Sequence, residues 1–463
     1  MHVETPVSQP LTSKQSVIFQ TSQLDGKIYI REQKGYFQRI RRYLSWVLVS
    51  GFILLPWVQY HGQQAILFNI AEQKLTLFGI TLFPQDMFIF SLIFILAAFL
   101  LFYITRLYGR VWCGYTCPQT IWMLMFNWVE RRVEGSYRQS QALDKADIGP
   151  TKILKKTVKH GLWLSISLLT ALVFMSYFVP VSQLYSSVFT FQASAVVQGW
   201  VYFFAACTYI NGGWIKEKMC LHICPYARFQ SVMFNNSTSL MSYDHTRGEN
   251  RGPRKIKAQK SVELGDCVDC GLCVDVCPVG IDIRQGLQYE CINCGLCADA
   301  CNDVMQKFNY PQGLIKYTAK HVIKRQWSAH LGYGLASLLC FFFIAVWVYQ
   351  RDNFDVSIIR DRQALYRINT QGQVENTFVL KIINKTQQVQ HYSIKIEDSQ
   401  NFTIHGQFEY AVLPAEQTIN HITVVAQQAP EELKTLITFS VIDKQNAEVI
   451  EKSSSFFSAK DTW

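Results

Sequence analysis

Eight cysteines between Cys267 and Cys301 have the type and spacing for redox chemistry. They read Cys267-Val-Asp-Cys270-Gly-Leu-Cys273-Val-Asp-Val-Cys277-Pro278 and, after a spacer, Cys291-Ile-Asn-Cys294-Gly-Leu-Cys297-Ala-Asp-Ala-Cys301. Three thiolates at i, i+3 and i+6 hold three corners of an iron–sulfur cube, and the fourth cysteine, on a following helix, reaches the neighbouring cube. The spacing therefore predicts two 4Fe-4S clusters. One takes Cys267, Cys270, Cys273 and Cys301; the other takes Cys291, Cys294, Cys297 and Cys277. The second copy has Asn302 where the first has Pro278, which alters a turn and removes no ligand. Neither a disulfide framework nor paired zinc knuckles would repeat this spacing.

Four further cysteines form two Cys-x3-Cys-Pro elements, Cys113/Cys117 and Cys220/Cys224, each placed after the second helix of an apolar pair. On one helix, positions i and i+4 share a face about 5–6 Å apart, so each pair can aim at one site. Two facing thiolates suit Cu(I); four could hold Cu(I), zinc or a further iron–sulfur cluster. Against a metal site stands close helix packing by small residues, with proline ending the helix. His222, between Cys220 and Cys224, joins the four cysteines as a candidate copper ligand, and Met123, Met125 and Met219 lie near in sequence. The remaining two of 14 cysteines, Cys207 and Cys340, sit inside apolar segments as packing residues. His61, His160, His321 and His330 fall at span ends and not in facing pairs, which argues against bis-histidine haem. No phosphate-binding loop, dinucleotide fingerprint or nucleophile elbow supports ATP, NAD or acyl chemistry.

The elements that position these groups belong to a membrane. The 463 residues are 49% hydrophobic and 14% aromatic, high for a wholly soluble chain. The net charge of +10 comes from Lys and Arg gathered beside apolar runs, which argues against a nucleic-acid partner. Five runs approach the roughly 20 residues needed to cross a bilayer: 43–60, 87–107, 161–179, 193–210 and 331–349. No cleavable signal peptide is expected. Basic flanks at the N-terminus, 106–160 and 211–330 predict a bacterial inner-membrane protein with its N-terminus and ferredoxin part cytoplasmic and its C-terminus periplasmic. The domain reading is a polar segment 1–42, four transmembrane helices with both Cys-x3-Cys-Pro elements in 43–225, a linker and two-cluster ferredoxin-like α+β domain in 226–329, a fifth helix 330–349, and a tail 350–463. A small hairpin is expected within 65–83. Alternating runs at 377–384, 391–396, 419–425 and 436–442 predict an all-β immunoglobulin-like sandwich in the tail, which holds no Cys or Met.

Taken together, Trp112-Cys113-Gly-Tyr-Thr-Cys117-Pro118-Gln119, Cys220-Leu-His-Ile-Cys224-Pro225, Tyr243-Asp244, the linker Arg247-Gly-Glu-Asn-Arg251-Gly, the two-cluster insert and the sandwich tail resemble the CcoG/RdxA/FixG family, the cytochrome c oxidase accessory proteins. The resemblance spans essentially the whole chain. It implies a membrane-anchored iron–sulfur protein that reduces Cu(II) to Cu(I) for assembly of the cbb-type oxidase, with oxidase-assembly and copper-delivery proteins as partners and an unidentified electron donor. Copper would then be substrate or bound ion at Cys113, Cys117, Cys220 and Cys224, the thiolates lowering the barrier to reduction. Two rivals remain: a quinol-linked electron-transfer subunit, and a non-enzymatic copper-binding assembly scaffold. The two thiolate pairs could meet within one chain or across a homodimer.

Overall fold

The computed structural model describes residues 27–60, 62–234, 237–256, 264–318, 330–428 and 432–458. Most of the polar N-terminal segment, His61, His321 and the basic stretch before the last helix lie outside the described residues. The helices are α1 (Tyr36–Leu54), α2 (Met87–Tyr108), α3 (Val111–Tyr115), α4 (Pro118–Glu134), α5 (Tyr137–Lys145), α6 (Pro150–Met175), α7 (Val181–Phe189), α8 (Ala195–Tyr209), α9 (Pro225–Met233), α10 (His245–Gly248), α11 (Leu272–Asp275), α12 (Leu296–Lys307) and α13 (Leu335–Tyr349).

Among the described residues, three helical stretches are long and apolar enough to cross a membrane: Pro84–Tyr108, Pro150–Met175 and His330–Tyr349. The sequence predicts five. The first expected span is only the latter part of α1, whose opening turns carry Arg39, Arg41 and Arg42 and whose end meets Pro56 in a 3-10 turn. The fourth is α8, 15 residues long, which continues as a π-helix, Ile210–Ile215. The 106–160 segment, expected as a loop, is largely helical as α3, α4 and α5. The connection after α6 contains α7.

The chain divides into two compact units. The first comprises residues 1–54, 92–176 and 182–342. In it, strands Leu240–Tyr243 and Ile315–Thr318 pair antiparallel, Tyr243 opposite Ile315, and so tie together the two ends of the ferredoxin insert. The two cysteine loops repeat one backbone shape. Asp269 and Asn293 take φ of 50° and 54°, and Gly271 and Gly295 take 69° and 76° before α11 and α12. Asp, Asn and Gly are the residues that tolerate this left-handed region.

The second unit comprises residues 55–91, 177–181 and 343–463. The expected hairpin is a three-stranded antiparallel sheet, Ile66–Asn69, Lys74–Leu77 and Ile80–Leu82, preceded by a two-residue pair. The tail is a sandwich of a five-stranded and a four-stranded antiparallel sheet. Its expected strands occur as Val374–Asn384, Gln390–Ile396, Gln417–Ala426 and Lys434–Asp443. Alternate residues face inward, and Phe354, Phe378, Tyr392, Phe439 and Phe456 are fully buried between the sheets. Asp86 receives Lys385 at 3.2 Å and Arg351 at 3.9 Å, and Gln387 Nε2 donates to the Gly79 carbonyl at 2.9 Å. The small sheet and the sandwich thus form one body.

Candidate redox and metal site

The ferredoxin cysteines line two separate cavities. Cys267, Cys270, Cys273 and Cys301 border one; Cys277, Cys291, Cys294 and Cys297 border the other, with Cys273 at its edge. The exchange of Cys277 and Cys301 between the loops follows from geometry: Cys277, two residues past the end of α11, and Cys301, within α12, are both carried away from their own loop toward the neighbouring one. Cys301 is in electrostatic reach of Cys273, Cys267 and Cys270, whereas Cys277 feels Cys294 and Cys291. All-thiol donor sets around two largely apolar cavities, each opening from a left-handed Cys-x2-Cys-Gly loop, fit two 4Fe-4S clusters. Cys270 is exposed while Cys267 and Cys273 are buried, so the first cradle meets solvent at its Cys270 corner; the second, with Cys277 and Cys294 buried, packs against Cys113.

Cys113, with 7% of its surface exposed, lies in one packed cluster with Cys277, Cys294 and Ile292, beside Cys291. Gly114 permits this approach: a Cβ there would stand 2.6 Å from the Ile292 carbonyl oxygen and 3.1 Å from the Cys294 Cα. The Tyr115 hydroxyl donates to the Cys294 carbonyl at 3.1 Å, and Asn293 Nδ2 donates to the Tyr108 carbonyl at 2.9 Å. The first Cys-x3-Cys-Pro element is therefore built onto the second cradle.

Neither element is a single helical turn as the i, i+4 argument assumed. Cys113 ends up in α3, but Cys117 is extended, φ −60° and ψ 128°, immediately before α4. Cys220 sits in a π-helix, Met219–Ile223, and Cys224 is again extended, φ −71° and ψ 112°, before α9. The cause is local. Pro118 and Pro225 disfavour the helical region for the residue before them, so each second cysteine is turned out of the helix.

The two elements nevertheless converge within one chain. Cys220 feels the charges of Cys117, Cys113 and Cys224, and Cys117 that of Cys224. Reciprocal glutamine contacts hold them together. Gln119, just after Pro118, donates to the Asn211 and Lys216 carbonyls at 3.0 and 3.1 Å. From α9, the fully buried Gln230 accepts from Cys113 Sγ at 3.2 Å. Burial pushes the Cys113 thiol up to about 11 against the pull of Arg110, and Cys220 up to about 12. Among the described residues, no three His, Cys, Asp or Glu side chains stand close enough for a single metal ion, the ferredoxin cysteines included. Thiols around a cube are spaced more widely than ligands around one ion, so the quartet is not a closed tetrahedral zinc site. His222 is exposed, while Met123 and Met125 line cavities along α4.

Two arginines complete the site, and sequence reasoning missed both. Arg41 and Arg110 are each 1% exposed. Arg110 Nη1 donates to the Tyr289 carbonyl at 2.7 Å, and its charge reaches Cys113, Cys220 and Cys291. Arg41 lies beside Cys294, Tyr115 and Cys277. Nε and Nη2 of Arg41 make no hydrogen bond, and the Arg110 guanidinium, whose Nε and Nη2 make none of good geometry, lies against the Cys113 thiol. Their position just outside apolar runs made them look like ordinary flanking charges.

Residues 215–320 match the family described as a 4Fe-4S dicluster domain, 88–134 a 4Fe-4S binding domain, and 344–459 the IG-like fold at the C-terminal of FixG. The nitrogen fixation protein FixG of Rhizobium meliloti is 32% identical over 80% of this chain and 79% of its own length. Protein RdxB of Cereibacter sphaeroides is 32% identical over 86% of this chain and 89% of its own. The chain belongs to the FixG/RdxA family. A crystal structure of a FixG-related protein from Vibrio parahaemolyticus is 36% identical over 23% of this chain and 96% of that one, with a TM-score of 0.21. As a member of this family with eight thiols arranged in two cluster-sized cradles, the chain is an iron–sulfur electron-transfer protein.

Proposed function

We propose that this protein is a membrane-anchored cupric reductase that converts Cu(II) to Cu(I) for assembly of a cbb-type cytochrome c oxidase. The reading rests on one juxtaposition: Cys113 packs against the ligands of the inner cradle, Cys277 and Cys294. Iron–sulfur clusters held by the eight cysteines would supply one-electron transfer. Copper is the substrate. Cu(II) meeting the Cys113, Cys117, Cys220 and Cys224 thiols gains one electron and leaves as Cu(I), the thiols giving up protons as they bind metal. Soft sulfur ligands favour Cu(I) over Cu(II), and two of the four suffice for a near-linear site. The quartet comes from one chain, so the reaction needs no homodimer. Copper-delivery and oxidase-assembly proteins would take the product.

The test is anaerobic. Purified protein is reduced with dithionite, freed of excess, and given Cu(II) beside a Cu(I)-specific chelator. Cluster reoxidation matched one-to-one by Cu(I) supports the reading. Clusters that stay reduced in the presence of Cu(II) would rule it out. Replacing Cys113 and Cys117 together should abolish copper reduction and spare cluster absorbance; reduction that survives would assign copper to a cluster surface and not to the thiol pair.

A further inference from the structure

A groove of about 460 Å³ runs between α1, α4 and α6. Its walls are apolar, formed by Trp46, Val49, Ile121, Leu124 and Ile166, and its polar side carries Glu32 and Gln38 with three arginines, Arg42, Arg131 and Arg132. Along α1, Tyr43, Trp46, Val47 and Leu48 are exposed, so the groove opens on a surface suited to lipid. Its inner end approaches the inner cysteine cradle. Gln38 and Leu124 line both this groove and a smaller cavity whose other walls include Arg41, Pro278 and Leu296, and the latter two also border the Cys277/Cys294 cradle. The Gln38 backbone N–H is anchored at 2.9 Å to Asp299, which stands between Cys297 and Cys301 on α12.

Two features select the occupant. The Gln38 side chain is 7% exposed and its Oε1 has no partner, so it calls for a ligand that donates a hydrogen bond. Glu32, held between Arg42 at 2.6 Å and Arg131 at 3.7 Å, adds a second acceptor. An anionic lipid headgroup would find the arginines of the mouth but brings only acceptors to the Gln38 Oε1. A quinol brings two O–H donors on a flat apolar body.

We propose that this groove binds a lipid-soluble quinol, which is the protein's electron donor. Oxidation breaks the two quinol O–H bonds and releases two protons and two electrons, leaving the quinone. Water at the mouth takes the protons; the electrons leave singly, to the one-electron acceptors for which the two cradles fit. Arg41, a buried cation between groove and inner cradle, favours the arrival of negative charge there. The inference rests on the iron–sulfur reading and not on copper, which appears in neither arm of its test.

The full-length protein in phosphatidylcholine nanodiscs is photolabelled with an azidoquinone, and, separately, the oxidised protein is given decylubiquinol under anaerobic conditions while cluster bleaching is followed. Labelling should fall on the α1 and α4 peptides and be competed by decylubiquinol. Cluster reduction should saturate with quinol. Gln38→Leu should raise the half-saturating quinol concentration about tenfold, the value of one lost hydrogen bond of roughly 1.4 kcal/mol. Leu124→Trp, which fills the groove, should remove the saturable phase while dithionite, reaching the cradle at Cys270, still reduces the protein. Labelling elsewhere, labelling competed by phosphatidylglycerol but not by quinol, or cluster reduction linear in quinol and indifferent to both substitutions would overturn the proposal.

Discussion

Tyr115 and Cys294, 179 residues apart, are joined by a hydrogen bond from the tyrosine hydroxyl to the cysteine carbonyl. The bond fixes the distance between the inner cradle and the Cys113 thiol, and Gly114 beside it keeps that distance short. Gly114→Ala should be the more damaging change, because its Cβ would meet the Ile292 carbonyl at 2.6 Å and backbone cannot yield as a side-chain tip can. Copper-dependent reoxidation should slow at least tenfold with iron content retained. Tyr115→Phe should cost about 1 kcal/mol locally and slow the same step less. If both variants keep the wild-type rate in stopped-flow absorbance, this contact is not on the electron path.

Arg41 and Arg110 place two buried positive charges at the inner cradle. Removing one destabilises the more reduced, more negative state. Arg110→Gln or Arg41→Gln should lower the potential of the Cys277/Cys291/Cys294/Cys297 centre by about 60 mV, the equivalent of a tenfold change for one electron. The Cys267/Cys270/Cys273/Cys301 centre should hardly move. Redox titration followed by electron paramagnetic resonance separates the two, and equal shifts at both would show a general loss of packing.

The crossing of the fourth ligands gives a sharper test. Cys301→Ser should disable the centre held by Cys267, Cys270 and Cys273, and Cys277→Ser the one held by Cys291, Cys294 and Cys297. Either should lower bound iron to about half. The remaining signal decides the pairing: after Cys277→Ser it should be the solvent-facing centre, with Cys270 at its surface, and should react faster with hydrophilic oxidants.

Legibility in the sequence followed the range of the interactions. The grouping of the eight ferredoxin cysteines around two cavities could be read because a short loop and the turn after it fix them locally. The strands at 377–384 and 436–442 showed through their alternation, whereas Phe354–Arg360 and Val449–Phe457, which complete the sheets, lacked a clear polar period. Cys113 meeting Cys294 depends on a tertiary contact with no local signal; the glycine between Cys113 and Tyr115 was the one hint. The prolines after Cys117 and Cys224 were visible, but their effect on the preceding cysteine was outweighed by the helical spacing. Arg41 and Arg110 share their sequence neighbourhood with truly exposed flanking charges, and only burial distinguishes them.

Glu130 sets an acid limit on the first unit. Burial opposes its charge, yet Lys216 and Lys27, each at 2.8 Å, hold its carboxyl down to about 2 from an ordinary 4.5. A depressed carboxylate contributes stability above its unfolded value, and that contribution is lost as pH falls through the folded one. Thermal stability should therefore decline from near pH 4.5 toward pH 2. Glu130→Gln should flatten that limb and lower stability at pH 7, leaving Lys216 and Lys27 short of a counter-charge. An unchanged acid profile in differential scanning fluorimetry would assign the decline to other carboxylates such as Asp144, which Lys156, Lys27 and Tyr29 also hold low against burial.

Asp86 offers the corresponding test in the second unit. It lies just before α2, with 8% of its surface exposed, and is the shared counter-charge of Lys385 and Arg351. Removing one partner of a buried ion pair leaves the other charge uncompensated, at a cost of about 3–5 kcal/mol. Asp86→Ala should loosen the small sheet from the sandwich, seen as faster protease cleavage within 62–86 and a lower melting temperature for the tail. The redox potentials belong to the other unit and should stay where they are. If cleavage is unaltered, the Gln387 bond to the Gly79 carbonyl and strand packing hold the two pieces together without the ion pair.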